Sequence, residues 1–370
     1  MERRTKPNEE KLSEKVKRSV TSQIPEKSEY DGNIETMIST GSTLLDLAIS
    51  GGRKKGGGVP GGIFVEAFGP NSAGKTVLLC EMAGAIQRQG GEILFRDPEA
   101  RLNQQFAQMF DLNTKEMDYD TVDTVTELFT SVRDWEVKNE KIINGIFADS
   151  LAALSTDLEM SKDEGDKMGM KRAKEFSEQL RRTCRVLTQK NLLMVCSNQI
   201  RQNAEGYGEK FTAPGGMGPG FYASLRLKFG TPEKIPVKKM ICGKEVTRII
   251  GVRTEVTVYK SSIWKPFHSA FLTIIFDYGI DDIRENLQFI KDHKEKVHEE
   301  TPDKKIKVNK KGEKQTIYTC NGEKLDVSLE KSVKMIEHYN LQKVVKAEVI
   351  ELWESIETKF ETSRTKKERD

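Results

Sequence analysis

The octet Gly69-Pro70-Asn71-Ser72-Ala73-Gly74-Lys75-Thr76 constrains this chain more than any other stretch. It follows an apolar, strand-like run, Ile63–Phe68, and opens a helix-like run from about Lys75 to Gln89 that stops at Gly90-Gly91. Strand, glycine-rich loop and helix in that order make a cradle for a phosphate chain. The glycines remove Cβ obstruction, and the helix N-terminus adds its positive end to the converging N–H groups. In such a cradle Lys75 reaches the β- and γ-phosphates and the Thr76 hydroxyl ligates Mg²⁺, so ATP with Mg²⁺ is the expected ligand pair. The competing reading is a chance glycine-rich turn, and the full octet in its strand–loop–helix setting argues against it.

The surrounding pattern sets the fold class. From Ile38 to about Phe276 strands and helices alternate, with short apolar strands expected at Glu92–Phe95, Gly145–Ala148 and Asn191–Cys196. A helix with Ala173, Phe176, Leu180, Cys184 and Leu187 on one face lies between the last two. Buried strands joined by helices imply a mainly parallel α/β sheet. The period then changes to two at Leu225–Phe229 and Glu255–Tyr259, which predicts half-exposed strands added antiparallel to the sheet. Residues 286–315 are polar and lysine-rich, and Thr301–Lys311 holds five lysines against the single acid Asp303. A hairpin turning at Asn321-Gly322 and a helix with Val345, Val349, Leu352, Ile356 and Phe360 on one side predict a small α+β module.

At 370 residues the chain has room for one large domain and a smaller one. Its 60 Lys+Arg nearly balance 57 Asp+Glu, so an anionic partner would have to be held by local patches rather than a global field. No apolar run reaches the roughly 20 residues that span a bilayer, and no apolar segment follows the charged start at Met1–Lys6. Five scattered cysteines without a CxxC pair read as reduced thiols, and the expectation is a cytoplasmic protein. In residues 1–35 a thin stripe, Leu12, Val16 and Val20, reads equally as a short helical arm that docks on a neighbouring subunit or as a solvated arm.

Hydrolysis of ATP needs more than the cradle. Asn144–Ala148 is an apolar strand ending in Asp149, the place for an acid that holds the magnesium and its waters. Phe95-Arg96-Asp97-Pro98-Glu99 follows the second strand, and Glu99, ahead of Asp97, is the carboxylate expected to orient the attacking water. A solvated strand-end turn is the alternative for that segment.

Taken together these residues resemble the bacterial RecA-type recombinases along nearly the whole chain. Ile38–Ser42 with Leu45-Asp46 is similar to the family's opening motif, Asp97-Pro98-Glu99 to the segment of its catalytic glutamate, and Asp149–Leu154 to its Walker-B run. Asn198-Gln199-Ile200-Arg201 and Phe221–Leu227 resemble two further signatures. The resemblance implies a RecA-like P-loop NTPase core with a mainly parallel central sheet over residues 36–285, a short N-terminal helical arm over 1–35, and a lysine-rich linker over 286–315. A small α+β C-terminal domain over 316–361 and a tail over 362–370 complete it.

It also implies a DNA-dependent ATPase that forms helical filaments on single-stranded DNA, pairs it with homologous duplex DNA, and places ATP at subunit interfaces. Single-strand-binding and loading proteins are implied as further partners. Two DNA-binding loops follow. The first, Glu164–Arg172, would set Met168 between base steps and Lys171 and Arg172 on phosphates, with Arg181 on the next helix. The second, from Arg201 to about Gly220, would use Arg201 and Lys210 on phosphates and Tyr207 or Phe211 on bases; the alternative is an active-site lid.

Gln199 would sense the γ-phosphate and Phe106 would stack on adenine. Lys260 would act in trans on a neighbour's nucleotide. The chain departs from the family where Ser262 and Gly220 stand at expected interface lysines, where Gly51–Gly58 expands a loop, and where an acidic tail is missing. A ring motor or helicase of the same fold, and an ATP-binding mediator with little hydrolysis, are the rival readings.

Overall fold

The structure, a computed structural model, describes residues 35–51, 55–156, 168–202, 211–212, 216, 218–296 and 314–364, without the side chains of 168–170, 201–202 and 211–212. The expectations for the N-terminal arm, the start of the first loop, most of the second, residues 297–313 of the lysine-rich linker and the end of the tail lie outside the described residues. The start of that linker is corrected: residues 286–293 continue the helix Asp282–His293, whose Leu287 and Ile290 are buried in the core. From Thr36 onward the chain forms one compact unit.

In chain order the first elements are α1 (Thr43–Ser50), β1 (Phe64–Gly69), α2 (Lys75–Arg88), β2 (Ile93–Arg96), α3 (Gln104–Gln108), β3 (Met117–Asp120), α4 (Val125–Asp134) and β4 (Asn144–Ala148). Then come α5 (Met168–Gln189), β5 (Leu192–Gln199), β6 (Arg201–Gln202), β7 (Phe211–Thr212), α6 (Gly218–Tyr222), β8 (Leu225–Phe229), β9 (Glu233–Ile241) and β10 (Lys244–Ser261). The last are β11 (Ser269–Ile275), β12 (Gly279–Ile280), α7 (Asp282–His293), β13 (Thr319–Cys320), β14 (Glu323–Lys324), α8 (Leu329–His338) and α9 (Gln342–Lys359).

A ten-stranded sheet runs β12-β11-β10-β8-β1-β5-β4-β2-β3, with β9 added beside β10. Its half from β3 to β8 is parallel, and β9 to β12 are antiparallel. The P-loop strand β1 lies centrally, and each of its six residues is buried. Two apolar cores cover the two faces. On one, Phe129 of α4 and Phe176, Leu180 and Leu187 of α5 pack with β4 and β5. On the other, α1 and α2 join Val333, Ile336, Val345, Val349 and Trp353 of the C-terminal helices in one continuous cluster.

Two further expectations are corrected, and one element has no counterpart among them. Leu225–Phe229 pairs with β1 in parallel, and only its other edge is antiparallel, to β10. Its alternating burial reports that one face is covered, and period two carries no information about strand direction. The long β9–β10 hairpin was not expected; it turns at Cys242-Gly243, both at positive φ, between strands whose charged faces hide the apolar alternation. Phe360 caps the end of α9 and is 76% exposed, while Ile350 and Trp353 take the buried face instead. The Asn321-Gly322 hairpin forms as expected, with both turn residues at positive φ.

The segment before α1 is folded around one carboxylate. Asp46 is 1% exposed. It accepts from Ser39 Oγ at 2.6 Å and from both the Thr40 N–H and the Thr40 hydroxyl at 2.7 Å. Burial pushes its carboxyl up from 3.8 to about 6, against those hydrogen bonds. The folded chain therefore binds this proton more tightly than the unfolded chain. The stabilisation is complete below the unfolded value and is lost as pH rises through about 6. Urea unfolding at pH 5 and pH 7.5 is expected to show wild type losing roughly 1 to 2 kcal/mol relative to Asp46→Asn over that interval. A pH-independent difference between the two would refute it.

Candidate nucleotide site

The carboxyl ends of β1, β4 and β5 open into a cavity of about 760 Å³. Its floor is the loop between β1 and α2. A Cβ at Gly69 would lie 2.6 Å from the Phe229 carbonyl oxygen of β8, and Gly74 sits at φ 98° with Ile274 Cδ1 2.3 Å from where its Cβ would be. The loop therefore lies against the sheet only because both positions lack side chains. Asn71 to Thr76 line the cavity. Lys75 is 8% exposed, and its ammonium donates to the Gly69 carbonyl at 3.1 Å and the Pro70 carbonyl at 2.6 Å. Burial lowers its pKa, while Asp149 and then Glu99 oppose that shift.

Thr76 Oγ1 donates to Asp149 Oδ2 at 2.5 Å, and Ser197 Oγ donates to Asp149 Oδ1. One hydroxyl and one carboxylate, both hard oxygen donors, thus converge beside the cradle. That set fits Mg²⁺, which takes few protein ligands and keeps waters and phosphate oxygens. Thr76 and Asp149 are the residues that would hold it.

Glu99 lines the same cavity. Its Oε1 accepts from Ser150 Oγ at 3.0 Å and faces Gln199 Nε2 at 3.5 Å, and its Oε2 pairs with Arg101 Nη1. Asp97 is placed differently. It is 1% exposed, and its Oδ2 accepts from the N–H groups of Arg101 and Leu102 at 2.8 Å each, folding the turn that presents Glu99. Phe106 lines the same cavity and meets Phe110 edge to face at 5.2 Å.

The cavity thus gathers Lys75, Thr76, Glu99, Phe106, Asp149 and Gln199, while Lys260 is not among its lining residues. Lys260 Nζ donates instead to the carbonyls of Gly220 at 3.0 Å and Phe221 at 2.7 Å, and burial, then Arg226, lowers its pKa.

The residues expected to meet DNA divide. Met168 belongs to the first turn of α5 rather than to a loop. Arg172 is half-buried and donates to the Ala152 carbonyl at 2.8 Å, so it ties α5 to the turn after β4 instead of facing outward. Lys171 and Arg181 are exposed on α5. Arg201 and Phe211 lie in the two-stranded foot of the second loop, where Arg201 pairs with Thr212 and Gln202 with Phe211. Tyr207 and Lys210 lie outside the described residues.

Sequence reasoning missed Ser197, Arg101 and the lip Ile274–Asp277. None carries a local motif; each is brought in by a strand end or turn whose register only the fold sets.

A glycine cradle at the carboxyl edge of a parallel sheet, with a Thr–Asp pair beside it, defines a P-loop nucleotide-binding α/β protein. The model of the RecA N-terminal domain matches residues 13–281. Protein RecA of Thermus thermophilus is 34% identical over 251 residues, 67% of this chain and 69% of that one. Protein RecA of Colwellia psychrerythraea is 30% identical over 341 residues, covering 91% of this chain and 90% of its own. Among solved structures, the crystal structure of the RadB recombinase is similar at a TM-score of 0.47 and 18% identity, over 66% of this chain and 98% of that one, a likeness too remote to add weight. The chain belongs to the RecA family.

Replacing Lys75 by alanine removes the one buried cation of the cradle. A fluorescent ATP analogue is expected to bind Lys75→Ala about 10- to 100-fold more weakly, with the far-ultraviolet circular dichroism unchanged. Undiminished affinity in a folded variant would remove Lys75 from the site.

Proposed function

We propose that this chain is a DNA-dependent ATPase that forms ATP-bound filaments on single-stranded DNA and promotes homologous pairing and strand exchange in recombination and repair. The observation that carries the reading lies at the end of β5. Gln199 faces Glu99 inside the nucleotide cavity, and two residues later Arg201 begins the foot of the loop expected to hold DNA. Nucleotide and DNA would bias the same short segment, so each would raise the affinity for the other.

In this reading Lys75 and the backbone of Asn71–Thr76 hold the phosphates, Phe106 stacks on adenine, and Glu99 orients the attacking water. Magnesium held by Thr76 and Asp149 supplies charge neutralisation across the phosphate oxygens. Lys171 and Arg181, with Arg201, Tyr207, Lys210 and Phe211 of the second loop, contact single-stranded DNA. Lys260 serves the nucleotide of a neighbouring subunit.

Glu99→Gln is expected to keep ATP and single-stranded DNA binding and to lose turnover by about 100-fold or more, measured as phosphate release with and without DNA. Unimpaired turnover would remove Glu99 from its role. Electron micrographs of the wild type with ATP and single-stranded DNA are expected to show helical filaments. Closed rings would favour a ring motor, and filaments without turnover an ATP-binding mediator.

A further inference from the structure

A second cation lines the nucleotide cavity, and the phosphate cradle does not account for it. Among the described lining residues, the lysines and arginines are Lys75 and Arg101, set against three carboxylates, Glu99, Asp149 and Asp277. The Arg101 side chain is 74% exposed. Its backbone is clamped, because its N–H and that of Leu102 both donate to the buried Asp97 carboxylate at 2.8 Å. The base of the side chain is thus fixed while its guanidinium extends into solvent at the mouth of the cavity. There its Nη1 meets Glu99 Oε2, and the other oxygen of that carboxylate accepts from Ser150 and faces Gln199.

We propose that Arg101 is a phosphate-facing cation supplied by the same chain, which exchanges its ion pair with Glu99 for the γ-phosphoryl oxygens of a bound nucleoside triphosphate. The proposal rests on the nucleotide-hydrolysis reading of this site. An ion pair with so exposed a partner is weak, so leaving Glu99 costs little. A triphosphate offers several charged oxygens in a geometry that the guanidinium fork can meet with two parallel N–H bonds. The exchange has two effects. It places positive charge on the phosphoryl group being transferred, and it frees Glu99 Oε2 for the attacking water. Arg101 gives up no proton in this step, because a guanidinium stays charged throughout; its contribution is charge and position.

The test uses the full-length chain with Arg101→Ala and Arg101→Lys. Calorimetry with Mg²⁺ compares ATPγS with ADP, and phosphate release is followed with single-stranded DNA present. Arg101→Ala is expected to lose about tenfold of the preference for ATPγS over ADP while its ADP affinity stays within about twofold. Its kcat is expected to fall about 100-fold, with partial retention in Arg101→Lys and partial recovery on adding free guanidinium ion to the alanine variant. An unchanged ATPγS preference overturns the proposal. So does a raised kcat in Arg101→Ala, which would make the arginine a brake on Glu99. If the wild type turns over no ATP, the hydrolysis reading fails by itself, and the ATPγS preference alone then decides the role of Arg101.

Discussion

The register of three parallel strands governs this molecule. Gly69 at the end of β1 pairs with Gln199 at the end of β5, and Ala148 at the end of β4 pairs with Cys196. That alignment brings the phosphate loop, Asp149 and Gln199 to one edge of the sheet, although they are far apart in sequence. A slip of one residue in β5 would turn Ser197 away from Asp149 and put a core residue in its place, because side chains alternate between faces. The two apolar cores hold the register by burying both faces, so the site is a consequence of packing far from it.

Two of these strands, β1 and β5, are braced to β8 by a buried charge. Glu66 of β1 is fully buried; its Oε1 accepts from Asn198 Nδ2 at 2.9 Å and its Oε2 from Arg226 Nε at 2.7 Å. Arg226 in turn lies 4.4 Å over the Phe68 ring. One carboxylate thereby links β5, β1 and β8. A buried ion pair of this kind adds little net stability over a hydrophobic replacement, but losing one partner is costly.

Much of the site was legible in the sequence because its signals are local. The glycine octet, the acid ending β4 and the Asn-Gly turn of the β13–β14 hairpin depend on neighbours a few residues away. What escaped depends on long-range geometry. Arg172 reads as a loop cation until α5 carries it onto the Ala152 carbonyl. Asp97 and Glu99, two residues apart, are ranked from sequence with Glu99 ahead, but that one anchors the turn while the other lines the cavity is visible only in the fold. Arg101 carries no motif, yet it contacts Glu99 because that turn is tight.

Lys260 shows how far a resemblance reaches and where geometry takes over. Its ammonium satisfies two carbonyls at the end of α6, the short helix that precedes β8. A cation at a helix C-terminus is favourably placed, so this position stabilises α6 in the isolated chain. Reaching a neighbour's phosphates would require giving up both bonds and loosening α6. Under that reading, subunit assembly and the state of α6 share one ammonium group. Ser262 and Gly220 offer no second cation at the positions where the resemblance implies lysines, and Gly220 contributes its carbonyl to holding Lys260 in place. The balance between the two uses of Lys260 therefore falls on a single side chain, and α6 is the element that would register which use prevails.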